Sequence, residues 1–229
     1  MFLTRFPVNP ARRGARKLLS SPQAMHAGVR AAFRTPEEYE GPDARTLWRL
    51  DTPAPATVYL YIVSPGRPDL THLVEQAGWP TADGEPWVTR HYDALLESLR
   101  PGQRWAFRLT ANPTHSGRKT ADAKETQRFA YLQEEHQVAW LSSRAARHGF
   151  ELATQRDGRP NLRLHRRQTQ TFKRGMDAVT LTTVTYDGLL QVNNADALRR
   201  ALTNGIGHAK AYGCGLLTLA PPSPTEADK

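Results

Sequence analysis

The sequence predicts an α+β protein made of two tandem halves, each running β-α-β-β-α-β. Three observations predict it. Short apolar runs recur along the chain, several with period-two alternation, and Pro, Gly or Asn punctuates them. Intervening segments carry apolar residues at helical spacing. A turn signal at Pro101-Gly102 then divides the 229 residues into two stretches of similar length. This order is the ferredoxin-like (RRM-like) pattern, and the length suits two domains of about 100 residues. The expected division is 1–98 and 103–229.

In the first half, Met1–Val8 reads as a strand closed by Asn9-Pro10. Ser20-Ser21-Pro22 opens a helix, with Ser21 as N-cap and Pro22 in the first helical position, where its missing N–H costs nothing. Met25, Val29, Ala32 and Phe33 form its apolar stripe. Leu47–Leu50 and Val58–Val63 read as strands, Asp69–Ala77 as a helix ending near Gly78, and Trp87–Tyr92 as a further strand.

In the second half, Arg104–Leu109 alternates with period two. Residues 112–130 are polar and read as a loop. A helix follows over about 133–148, with Val138, Leu141 and Ala145 inward. Leu162–Arg166 alternates and is expected to be one arm of a basic hairpin. Val179–Tyr186 and Leu189–Val192 flank Asp187-Gly188, which predicts a two-residue hairpin turn. Asp196–Leu202 reads as a helix ending at Asn204-Gly205, and Leu216–Leu219 as the last strand. From Pro221 the chain reads as a disordered tail. Trp105 and Trp140 fall on apolar faces, so core packing is expected of both.

Composition narrows the function. Hydrophobic residues make up 39% and charged residues 23%, which excludes a disordered chain. No apolar run reaches the roughly 20 residues of a membrane helix, and the first residues lack the apolar core of a signal peptide. A single cysteine, Cys214, excludes an internal disulfide and a cysteine cage for zinc. A cytoplasmic protein without metal or cofactor is expected. The net charge of +9 favours a polyanionic partner.

That charge is localised. Residues 1–34 hold Arg5, Arg12, Arg13, Arg16, Lys17, Arg30 and Arg34 and no acid, a sum of +7. Residues 35–100 hold eleven acids and five bases, a sum of −6. Residues 156–175 hold Arg156, Arg159, Arg163, Arg166, Arg167, Lys173 and Arg174 against Asp157, a sum of +6. A charge run is often only a solvated face, but two runs among strand signals suggest nucleic acid. The lack of a helix-turn-helix signal disfavours a DNA-binding regulator.

Residues 205–220 read GIGHAKAYGCGLLTLA, with Gly205, Gly207, Gly213 and Gly215 in one loop. The order is helix, loop, strand, the reverse of a dinucleotide-binding fingerprint, and no Gly-Lys-Ser/Thr follows as a Walker loop requires. Four glycines would let backbone approach a ligand and offer N–H groups to phosphate, and Lys210 adds a positive charge. On the first helix, His26 lies at the edge of the apolar stripe with Arg30 one turn on, a pairing suited to proton transfer beside a phosphate.

This glycine-rich segment resembles the signature of the repeat-associated RNA-binding proteins of CRISPR systems. The N-terminal FLTRFPVNP with Met25-His26, FRLTANP at 107–113 and Val138-Ala139-Trp140-Leu141 narrow the resemblance to the CasE family. That resemblance spans nearly the whole chain. It implies two ferredoxin-like domains, binding of a CRISPR repeat RNA hairpin, metal-independent cleavage at its base, and association with other Cascade subunits. It also implies a catalytic role for His26. The family has a tyrosine three residues before this histidine, whereas Gln23 stands here; it can donate a hydrogen bond but cannot exchange a proton at neutral pH. Lys210 is then the candidate for stabilising transition-state charge. Arg163, Arg166, Arg167, Lys173 and Arg174 are expected along the RNA stem, with Arg12, Arg13, Arg16 and Lys17 near the cut strand. A non-catalytic RNA-binding subunit of the same fold is the alternative.

Overall fold

A computed structural model describes residues 1–80, 84–118 and 126–222. The first half contains β1 (Phe2–Val8), α1 (Arg13–Leu19), α2 (Pro22–Arg30), α3 (Pro36–Tyr39), β2 (Leu47–Ala54), β3 (Thr57–Ser64), α4 (Thr71–Ala77), β4 (Val88–His91) and α5 (Asp93–Ser98). Its sheet has the order β2-β3-β1-β4 with antiparallel neighbours, the arrangement of a ferredoxin-like domain. One sheet face carries Phe6, Val8, Leu60 and Ile62, which bury against Met25 and Val29 of α2 and Leu73 and Ala77 of α4. Each such side chain contributes roughly 1.5–3 kcal/mol on leaving water.

The second half contains β5 (Arg104–Ala111), β6 (Thr114–Gly117), β7 (Gln127–Ala130), α6 (Glu134–Ala145), β8 (Phe150–Leu152), β9 (Leu162–Arg174), β10 (Asp177–Val192), α7 (Ala195–Asn204) and β11 (Leu217–Ala220). The order β11-β5-β10-β8 again fits the ferredoxin-like pattern. Trp140 and Leu141 of α6, with Leu198 and Leu202 of α7, cover Phe107, Leu109, Tyr186 and Leu190 of the sheet. Trp140 is thus a core residue, as expected, and Trp105 is half-buried against the same core.

The two sheets meet across a seam. Leu3, Tyr61 and Val63 on the other face of the first sheet join the core of the second half. Arg49 of β2 is buried there. Its Nε and Nη2 donate to the Asp51 carboxylate at 2.7 and 2.9 Å. Its Nη1 donates to the carbonyls of Arg108 and Leu216, both at 3.0 Å. Asp187 continues the chain of charge, accepting from Arg108 at 2.6 and 2.7 Å and lying 3.0 Å from His165 Nε2.

Several expectations change. Asp187-Gly188 makes no turn: β10 runs unbroken from Asp177 to Val192. Gly188 pairs with Phe107 on one side and Leu162 on the other, and a Cβ there would meet the Asn161 carbonyl oxygen at 2.3 Å. Close backbone approach, not a bend, explains that glycine. The hairpin turns at Gly175-Met176, where Gly175 takes a positive φ of 61°. In the 112–130 segment, β6 and β7 pair as a small antiparallel ribbon; residues 119–125 lie outside the described residues, as do 223–229 of the expected tail. Three short helices, α1, α3 and α5, and the strand β8 interrupt stretches with no clear apolar period. On α6 the buried positions are Gln137, Trp140, Leu141 and Ala145, with Val138 only half-buried.

Candidate functional site

α2 begins as its sequence dictates: the Ser21 hydroxyl accepts from the Ala24 amide at 3.3 Å, and Pro22 occupies the first turn. Burial of Met25 and Val29 fixes the helix rotation, which leaves His26 half-buried at the edge of the stripe and Arg30 exposed one turn later. His26 sits between two tyrosines. Its Nδ1 is 3.4 Å from the Tyr39 hydroxyl, with the ring planes at 68°. On the other side is Tyr212, centroid to centroid 6.5 Å, at 69°.

Tyr212 ends the short 3₁₀ turn Lys210–Tyr212 in the glycine-rich loop. Its ring meets Phe172 of β9 edge-on at 4.8 Å, and Phe172 packs with Leu181 and buried Cys214. So the basic hairpin packs through Phe172, Leu181 and Val179 on the loop that borders His26. This contact brings Arg174 toward the helix. Burial lowers the His26 pKa below the ordinary histidine value, and the cations Arg30, Arg174 and Arg45 lower it further. His26 shares a cleft of about 600 Å3 with Arg30, Arg34, Tyr39, Glu40 and Arg45. Burial raises the Tyr39 hydroxyl pKa, with Arg45 acting against it. Burial likewise lowers that of Lys210, helped by Arg45. The cations that line the cleft, Arg30, Arg34 and Arg45, come from the first half, Arg174 adds its charge from the second, and the carboxylate in the lining, Glu40, lies 3.7 Å from Arg45.

Of the residues singled out from sequence, His26 and Arg30 line this cleft, the charge of Arg174 reaches His26, and Lys210 lies near Arg45, next to Ala211 of the lining. Gln23 lies half-buried one turn before His26 on α2. Arg166, at a positive φ of 52° where β9 bulges, lines a separate 280 Å3 cavity between the halves with Met25, Trp48 and Tyr212. Lys173 and Arg163 are exposed at opposite ends of β9. Arg167 is exposed too, and its guanidinium meets the Glu134 carboxylate. Arg12 turns away from the cleft: its Nη1 donates to the Val74 and Gly78 carbonyls, each at 3.2 Å, and closes the C-terminus of α4. Arg16 donates to the Ala11 carbonyl, while Arg13 and Lys17 are exposed on α1.

The four loop glycines have a reason independent of any ligand. All take positive φ, from 75° at Gly205 to 89° at Gly215. A Cβ on Gly213 would strike the Trp48 ring at 2.6 Å, one on Gly207 the Trp140 ring at 2.9 Å, and one on Gly205 Leu47 at 2.9 Å. The Gly215 amide donates to the Thr110 carbonyl and its own carbonyl accepts from Ile206. Only glycine suits such a conformation packed this closely.

Sequence reading missed Tyr39, Arg45, Tyr212 and Phe172. A signal for Tyr39 was present. Thr35-Pro36-Glu37-Glu38 repeats the cap-and-proline start of α2, and the Thr35 hydroxyl accepts from the Glu38 amide at 3.3 Å. The three-dimensional meeting of Phe172, Tyr212 and His26 left no such mark.

Fold and cleft together define a protein of two ferredoxin-like domains with a basic, histidine-centred cleft at their seam. A family model described as "CRISPR associated protein" matches residues 1–221. The CRISPR-associated endoribonuclease Cse3 of Thermus thermophilus is 32% identical over 227 residues, covering 96% of this chain and 100% of the relative. The Cascade subunit CasE of Escherichia coli K12 is 30% identical over 185 residues, covering 76% and 88%. A solved structure of Thermus thermophilus Cse3 bound to an RNA representing a pre-cleavage complex superposes with a TM-score of 0.75 at 31% identity, covering 96% of this chain and 98% of that one. The chain belongs to the CasE family of CRISPR-associated proteins.

Proposed function

We propose that the chain is an endoribonuclease that binds the stem–loop of CRISPR repeat RNA and cuts at the hairpin base, then stays with the product among Cascade subunits. The carrying observation is His26, held between Tyr39 of the first half and Tyr212 of the second, with the charges of Arg30, Arg174 and Arg45 acting on it. With its Nδ1–H donated to the Tyr39 oxygen, His26 has a free Nε2 lone pair. That lone pair takes the proton of the ribose 2′-hydroxyl, and the 2′-oxygen attacks the adjacent phosphorus. The bond to the 5′-oxygen breaks, leaving a 2′,3′-cyclic phosphate and a 5′-hydroxyl. Arg30, Arg45 and Arg174 face the charge that accumulates on the phosphate oxygens. Lys210, made more acidic by burial and by Arg45, supplies the proton that the leaving oxygen needs. Tyr39 positions the His26 ring. Exposed Arg163, Arg166 and Lys173 meet the RNA stem, with Arg13, Arg16 and Lys17 facing the strand near the cut. The glycines of the loop hold Lys210 and Tyr212 in place.

The test is cleavage of a synthetic repeat hairpin. His26→Ala should lower the rate by about 10²–10⁴-fold and leave hairpin affinity within about twofold. Tyr39→Phe, which removes only the hydroxyl, should lose far less. Activity should persist in excess EDTA. Unchanged cleavage by His26→Ala would overturn the assignment. Tight binding without cleavage by the unaltered chain would instead favour the non-catalytic reading.

A further inference from the structure

Outside the cleft the molecule carries a second feature that the proposed cleavage does not use. Four rings form a ladder at the surface: Phe129 to His115 at 5.8 Å, His115 to Tyr131 at 4.7 Å, and Tyr131 to His136 at 5.5 Å. The first two pairs lie within about 30° of parallel, the arrangement of offset stacks. They come from β6, β7, the link after β7 and the start of α6, outside both main sheets. His115 and His136 are exposed, and Phe129 and Tyr131 half-buried. Tyr131 leans on the core of the second half, but Phe129, His115 and His136 belong to none of its core clusters.

Cations flank the ladder. Arg144 lies 4.4 Å over the Trp140 ring, and Gly207 of the glycine loop packs on that same ring. His208 lies near Arg128 of β7, Arg144 and Lys210, and all three hold its pKa down alongside burial. Lys210 in turn faces Arg45 at the His26 cleft. A basic strip therefore runs from the cleft across the glycine loop to the ribbon. Glu134 and Glu135 stand in the first turn of α6, and Glu134 is held by Arg167.

We infer that the ladder of Phe129, His115, Tyr131 and His136, with Arg128 and Arg144 beside it, is a stacking platform for single-stranded RNA. Bases have π-faces that extend such a stack at its exposed rings whatever their sequence, while the cations follow the phosphates. The inference rests on the proposed function in one respect: the strand it holds is the unpaired strand leading from the cleft.

The experiment separates the two. The probe is an unstructured RNA of about eight nucleotides carrying 2-aminopurine, whose fluorescence falls on stacking, with no hairpin present. The chain should bind it with quenching. His115→Ala and Tyr131→Leu, the latter keeping apolar bulk beside the core, should each weaken binding about tenfold and abolish most of the quenching. Arg144→Ala should weaken binding and flatten its salt dependence. No binding, binding without quenching, or equal binding by both ring variants would overturn the platform. So would ring variants that keep full RNA affinity but fail to assemble with Cascade proteins, which would make the ladder a protein contact. Hairpin cleavage tests the proposed function separately, so either reading can fail alone.

Discussion

Two groups of arginines lie only a few strands apart and live under opposite rules. At the seam, Arg49 and Arg108 alternate with Asp51 and Asp187, each guanidinium bonded to a carboxylate. In the cleft, Arg30, Arg45 and Arg174 surround His26 and oppose its protonation. The first group is electrically complete within the folded chain. In the second, Arg45 meets Glu40 at 3.7 Å, while Arg30 and Arg174 have no carboxylate partner among the described residues and are free to answer the charge of a ligand. Matching of charge separates cations that hold the structure from cations that hold a ligand, and residue type alone does not.

Breaking the matched group should give the largest effect. Arg49→Leu removes both hydrogen bonds to Asp51 and those to two carbonyls and Thr218. It leaves the buried Asp51 carboxylate with Arg108 at 3.4 Å. A loss of about 3–5 kcal/mol in unfolding free energy is expected, measured by urea denaturation. An unchanged midpoint would mean that the seam does not depend on this pairing.

The unmatched group should behave the other way. Arg30→Ala and Arg174→Ala remove mutual repulsion, so stability should stay within about 0.5 kcal/mol of the unaltered chain. Hairpin affinity should fall, and the dependence of log K on log salt should flatten by about 0.7 for each RNA phosphate that the variant no longer neutralises. Arg167→Ala is the internal control, because Glu134 already answers that charge. If Arg167→Ala flattened the slope as much as Arg174→Ala, matching would not be the deciding property.

The same contrast marks how far the sequence could be read. Both ferredoxin-like halves were legible, because Met25 with Val29 and the alternation of Arg104–Leu109 are local patterns. The place of His26 at the edge of the α2 stripe was legible because it borders such a pattern. Total charge pointed to a polyanion but ranked the arginines poorly. Arg12 reads like Arg30, yet it closes a helix 62 residues away. Arg45 stands in an acidic stretch, yet it borders the cleft. Pairing across the fold decides both cases. Asp187-Gly188 failed for the same reason, since its strand is held straight by Arg108 and the Asn161 carbonyl.

The smallest effect concerns protons. Burial and neighbouring cations lower the pKa of His26, and the same two causes act on His148 and His208. The unfolded chain therefore binds protons more readily than the folded one near and below the ordinary histidine value. The folded state should lose stability as pH falls through that window and recover it above. RNA reverses the sign for binding. A phosphate in the cleft favours the protonated imidazole, so the complex takes up protons and affinity should rise from about pH 8 to pH 6. Cleavage should fall over the same range, because the protonated ring cannot act as base. KM and kcat thus move down together as the solution is acidified. His26→Gln cannot titrate and should remove its share of the affinity slope, leaving the part due to His208 and His148. An affinity that is flat with pH in the unaltered chain would mean that the phosphate does not enter the cleft.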